Sequence, residues 1–167
     1  RKNHEDKTEL YQYKDVWIFC EQKEGELQSV AFELLGEGRK LADRLGVELA
    51  GVLLGSYVKQ CIVEVIHRGA DKVYVVDNPA LRLYQDEPYT EVISDLIKEY
   101  KPEIMLAGAT AIGRSLIPRV AIRVKTGLTA DCTGLDISEE GRDLMQTRPA
   151  FGGNIMATIV TPNHRPQ

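Results

Sequence analysis

The sequence predicts an α/β protein: a doubly wound, mainly parallel sheet with an antiparallel addition at its C-terminal end. Three observations carry that prediction. Short apolar runs alternate with amphipathic stretches four times between Asp15 and Gly127, the signature of a parallel sheet covered on both faces. Past Gly127 the helical period stops and strand-like runs follow one another. Apolar residues make up 43% of the 167, enough for a full core and too many for a disordered chain.

The elements follow in order. Residues 16–20 read as a buried strand, followed by a polar turn at Lys23, Glu24, Gly25 and Glu26. Ser29 is expected to cap a helix with Val30, Ala31, Leu34, Leu35, Leu41, Ala42 and Leu45 on one face and Gly46 as its stop. Residues 47–54 form the next strand, ended by Gly55. Cys61, Ile62, Val65 and Ile66 mark one face of a second helix, closed by Gly69, and 72–76 is a third strand. Residues 77–88, with two prolines, read as a long polar loop. Val92, Ile93, Leu96, Ile97 and Tyr100 mark a third helix that ends before Pro102. A strand at 104–107 precedes a fourth helix carrying Leu116, Ile117, Val120, Ala121 and Val124. Residues 128–137, 144–147 and 155–160 read as the antiparallel tail, with Glu139, Glu140 and Gly141 as a hairpin turn.

Composition narrows the function classes. Charge sums to −4 with no basic block, so a nucleic-acid partner is not expected. No apolar run suits a membrane span, and the start has no signal-peptide pattern. Three cysteines (Cys20, Cys61 and Cys132) without CxxC spacing fit a reducing compartment, hence a cytoplasmic domain without a zinc site. The opening at Arg1 without a Met and the close at Gln167 read as a piece of something longer, with residues 1–14 as a polar arm or linker.

Doubly wound sheets place ligands beyond the carboxyl ends of their strands. No GxGxxG fingerprint is present there, and Gly36 and Gly38 fall inside the first helix, where small residues permit close packing. One loop has the look of a phosphate cradle: Gly108, Thr110, Gly113, Arg114 and Ser115 give the spacing GxxxxG followed by a base and a hydroxyl. A true P-loop carries Lys and follows the first strand. The alternatives are an anion site at a helix N-terminus and a tight turn with Arg114 paired at the surface. The catalytic inventory is thin: His4, His67 and His164 neighbour no nucleophile, and Asp77 and Asp131 read as cap or turn residues. Arg148 and Phe151 flank the turn Gly152-Gly153-Asn154, a cation and an aromatic face that suit a flavin.

Taken together, VWIFCEQ (16–22), ELLGEGRKLADRLGVELAGVLLG (33–55), GADKVYVVDNP (69–79), GATAIGRSLIPRVA (108–121) and RPAFGGN (148–154) resemble the alpha subunit of electron transfer flavoproteins, over about residues 15–167. That resemblance implies a nucleotide-binding domain of adenine nucleotide alpha hydrolase-like type over 15–161, with 162–167 opening a linker to an FAD domain. It implies no catalytic residue and no metal. FAD belongs to the full complex and is not expected to stay bound to these residues alone. The implied partners are a homologous beta subunit and, through the whole carrier, a flavin-dependent dehydrogenase. In the bacterial and bifurcating members that this form of RPAFGGN resembles, the loop approaches the partner subunit's flavin, which points to Arg148 and Phe151. Two rival readings stay open: a free-standing nucleotide-binding sensor domain of the same superfold, and a purely structural interaction domain.

Overall fold

A computed structural model describes residues 13–125 in full and the backbone of residues 129–132, 134–137, 144–147 and 155–157. Residues 1–12 of the polar arm (1–14), Gly127, the turn 139–141, Arg148, Phe151 and residues 162–167 lie outside the described residues.

The main sheet has six strands. β1 (Val16–Phe19) pairs in parallel with β4 (Leu49–Gly55) on one side and with β6 (Ile104–Gly108) on the other, and β4 pairs with β5 (Lys72–Asp77). β10 (Ile155–Ala157) runs antiparallel along β6, and β7 (Thr129–Cys132) along β10, giving the order β5-β4-β1-β6-β10-β7. The fold class and its antiparallel edge are as the periodicity indicates. The run at 128–137 is nevertheless two strands: β8 (Gly134–Ile137) leaves the main sheet and pairs with β9 (Leu144–Thr147).

β1 is buried on both faces, and its alternation divides the core in two. Val16, Ile18 and Cys20 join the cluster under α1 (Ser29–Leu45) and α2 (Ile62–His67). Trp17 and Phe19 join the cluster under α3 (Asp86–Tyr100) and α4 (Ala111–Arg123). Gly38 lets α1 approach closely, since a β-carbon there would lie 2.7 Å from Ile18 Cδ1 and 2.8 Å from Leu49 Cδ1. Gly36 faces solvent with nothing nearby, so only one of the two glycines serves packing.

Four local expectations are corrected. Ser29 is the first residue of α1 rather than its cap; Gln28 holds the cap position, because its N–H is tied to the Glu21 carbonyl at 2.9 Å. The polar turn at 23–26 is the tip of a hairpin, β2 (Gln22–Lys23) and β3 (Glu26–Leu27). The loop 77–88 is shortened by a single turn at Pro79–Leu81 and by α3 starting at Asp86. Pro88 lies in the first turn of α3, where a missing N–H costs no helical bond. Ile66 and Tyr100, expected on buried faces, are 41% and 47% exposed, each near the end of its helix.

Candidate functional site

The parallel strands step from β1 through β4 to β5, and the chain then crosses back to β6. Direction of winding therefore reverses between β1 and β6, and their carboxyl ends form the crevice where such sheets bind ligands. Gly108 ends β6, and Thr110 caps α4 by accepting the Gly113 N–H at 3.1 Å. The Thr110 hydroxyl in turn donates to Glu21 Oε2 at 2.8 Å, across from the end of β1. A β-carbon at position 113 would lie 1.8 Å from the Gly108 carbonyl oxygen, and one at 108 would lie 2.5 Å from Val30 Cγ2. The spacing GxxxxG thus closes a turn onto itself and onto α1.

Arg114 and Ser115 turn elsewhere. The Arg114 Nε donates to the Ala109 carbonyl at 3.2 Å. The Ser115 hydroxyl donates to Asp86 Oδ1 at 2.5 Å, which also takes the Tyr84 hydroxyl at 2.5 Å, while Arg119 meets Oδ2 at 3.2 Å. The Ser115 and Tyr84 hydroxyls, helped by Arg119, hold the Asp86 carboxyl below its ordinary range. Burial and the neighbouring Asp86 push Tyr84 up to about 12. A cavity of about 530 Å³ opens beside them, lined by Tyr84, Gln85, Asp86, Ala111, Ile112 and Ser115. The structure therefore joins Gly108, Thr110 and Gly113 in one turn, folds the Arg114 side chain back onto that turn at Ala109, and draws Ser115 away to Asp86.

Glu21 is only 8% exposed, and burial raises its carboxyl pKa against the opposing hydrogen bond from Thr110. A carboxylate beside the first turn of α4 repels a phosphate from the donors a cradle would use. The linkage sign is definite: the folded protein binds the Glu21 proton more tightly than the unfolded chain does. Its contribution is complete below the ordinary value of 4.5 and is lost as pH rises through the raised folded value. Glu21→Gln is therefore expected to raise the melting temperature at pH 7.5, with the advantage shrinking toward pH 4. Paired thermal melts at the two pH values check it.

Sequence reasoning missed Glu21, Tyr84, Asp86 and Arg119. Glu21 had a usable signal, as the first charge after the first strand of a doubly wound sheet. Asp86 and Glu87 ahead of Pro88 are a helix-start signal. Asp77 accepts the N–H groups of Tyr57 and Val58 at 2.9 and 3.0 Å and so acts as a turn residue. Burial pushes the Cys20 thiol up to about 12 and raises Cys61 as well, so neither is poised as a nucleophile. Among the described residues no His, Cys, Asp or Glu cluster could hold a metal ion, and no helix is long and apolar enough to cross a membrane. The register Ile155↔Gly108 brings β10 to the carboxyl end of β6, just after the segment that carries Arg148 and Phe151.

The electron transfer flavoprotein domain model matches residues 16–167. The electron transfer flavoprotein subunit alpha of Thermoanaerobacterium thermosaccharolyticum is 61% identical over 93% of this chain and 47% of its own length. The acryloyl-CoA reductase electron transfer subunit beta of Anaerotignum propionicum is 46% identical over 95% of this chain and 49% of its own. Subunit LctC of the lactate dehydrogenase (NAD(+),ferredoxin) of Acetobacterium woodii is 48% identical over 93% and 37%. The chain spans about half the length, or less, of the curated relatives it matches. It belongs to the electron transfer flavoprotein family, and its likeness is to the alpha subunits.

Proposed function

We propose that residues 15–161 are the N-terminal domain of an alpha subunit, with 162–167 opening a linker toward an FAD domain, and that the domain's task is to dock a beta subunit in a cytoplasmic flavin-based electron carrier. The observation that carries this reading is the combination of 61% identity to an alpha subunit with a switch point closed by the chain's own side chains. The described residues do not fit a flavin nucleotide at that crevice. Val30 stands against Gly108, and the Glu21 carboxylate lies where a pyrophosphate would need donors. On this reading FAD is held elsewhere in the complete carrier, and the described residues contribute a surface rather than chemistry. A nucleotide sensor, the rival, needs the Gly108–Thr110–Gly113 turn to receive a phosphate, which the same contacts oppose.

The test is direct. Co-expressed with its beta-type subunit, the full alpha chain should elute as one flavin-containing complex. The 167 residues alone, desalted after incubation with excess FAD, should show no stoichiometric flavin band. A band there, or separate elution of two folded subunits, would overturn the reading.

Arg148, together with Phe151, is assigned to the flavin or adjoining nucleotide of the beta subunit. A guanidinium stays charged at neutral pH and favours a reduced, anionic ring. Arg148→Ala should lower that flavin's potential by tens of millivolts, where about 30 mV corresponds to roughly 1.4 kcal/mol for two electrons. Arg148→Lys should recover part of the shift. Redox titration beside thermal melting separates this from a bracing role, which would change stability alone.

A further inference from the structure

We propose that the polar arm before Tyr13 lies antiparallel along the outer edge of β5, with Leu10 and Tyr11 covering Ile66 and Tyr100 on its two faces. This strap is independent of the docking role above.

β5 closes one side of the main sheet, so a row of its N–H and C=O groups has no partner strand there. Between Lys72 and Asp77 the strand reads Val73, Tyr74, Val75 and Val76, without the prolines or charges that usually blunt an exposed edge. Apolar surface gathers around it. Among the described residues six large apolar side chains are exposed, and five of them border β5. Tyr57, Val63 and Ile66 lie in the segment that joins β4 to β5, and Leu83 lies in the segment that leaves it. The Tyr100 ring stands 4.7 Å from that of Tyr74, within the strand. Single exposed apolar residues are ordinary, whereas a group of them along an open strand edge marks a contact.

The arm is the occupant because it begins at that edge. The Asp15 carboxylate takes the Lys72 ammonium, on the first residue of β5, at 2.9 Å. The Lys14 N–H donates to the Lys101 carbonyl at 2.8 Å, and the Tyr13 ring lies 6.0 Å from the Lys101 Nζ, one residue past Tyr100. Residues 1–12 therefore join the described chain beside the amino end of β5. β1 and β5 both run parallel to β4, so a segment that lies along β5 and then enters β1 runs antiparallel to β5. At about 3.3 Å per residue, the arm spans roughly 40 Å, about twice the length of β5. Side chains of an extended chain alternate between faces, so Leu10 and Tyr11 point to opposite sides. Their targets are divided in the same way: Ile66 belongs to α2, over one core cluster, and Tyr100 to α3, over the other. The residues after Ala157 start from β10, which β6, β1 and β4 separate from β5.

The experiment is hydrogen–deuterium exchange on the full alpha chain assembled with its beta subunit. Wild type is compared with the double variant Leu10→Asp, Tyr11→Asp and with a chain whose residues 4–12 are replaced by a Gly/Ser linker of equal length. In the wild type the amides of 8–12 should be protected, and both changes should speed exchange within 72–77 about ten-fold. Amides of 8–12 that exchange at the rate of an unstructured peptide in the wild type would overturn the proposal. So would protection of 72–77 that neither change alters. Sedimentation of the same samples then tells a second copy of this chain, which doubles the mass of the carrier, from the beta subunit, which leaves it unchanged.

Discussion

Gly113→Ala is expected to destabilise the domain by about 3 kcal/mol or more, at or beyond the top of the ordinary overpacking range. The added β-carbon would stand 1.8 Å from the Gly108 carbonyl oxygen, so backbone rather than a flexible side chain has to yield. Any shift large enough to relieve the contact also pulls the Gly113 N–H from Thr110, and a lost cap adds about 1 kcal/mol. Moving Thr110 leaves the Glu21 carboxylate without its single donor. Gly36→Ala is the matched control, because a β-carbon at 36 meets nothing within 4 Å on an exposed stretch of α1. There the substitution should stabilise by up to about 1 kcal/mol through helix propensity. Chemical denaturation of the two variants should give shifts of opposite sign. Equal shifts would remove the packing explanation for the Gly108–Gly113 spacing.

Trp17→Ala should cost about 4 kcal/mol and lower the melting temperature by roughly 10 °C. Trp17 is 1% exposed in β1, within the cluster beneath α3 and α4. Its ring centroid lies 4.9 Å from that of Tyr74, which lies 4.7 Å from that of Tyr100, so truncation opens a void whose walls are other rings and strand side chains. Trp17→Phe, which keeps a ring in the site, should recover most of the loss. It is the only tryptophan in the chain, so far-ultraviolet circular dichroism rather than fluorescence should follow the variants. A loss below about 1 kcal/mol would show that the site collapses around the cavity.

The two substitutions lie on different sides of a divide in this protein. Trp17 announces itself in the sequence: it belongs to a short apolar run at the start of a strand–helix repeat, and such a run is buried wherever the sheet is covered on both faces. The order of strands and helices, the antiparallel change after Gly127 and the glycine stop of α1 at Gly46 are equally local, set by periodicity and by backbone preference at single residues. The family was legible for the same reason, since its motifs are contiguous stretches.

The site was not legible in the same way. Gly108, Thr110 and Gly113 could be picked out by spacing, but whether the turn cradles an anion depends on what stands opposite, and Glu21 is 89 residues away from Thr110 in the chain. Ser115 likewise reads as a phosphate hydroxyl until Asp86, 29 residues earlier, takes it. Even the cap of α1 moved from Ser29 to Gln28 because of a bond to Glu21 that no capping preference anticipates. Periodicity and propensity act through neighbours within a few residues. Which strand end faces which helix start is fixed by the order β5-β4-β1-β6, and that order sets the electrostatics of the crevice. Sequence alone determined the elements and the family; tertiary structure decided that the switch point holds a buried carboxylate, because only the packing of β1 against β6 brings Glu21 to Thr110.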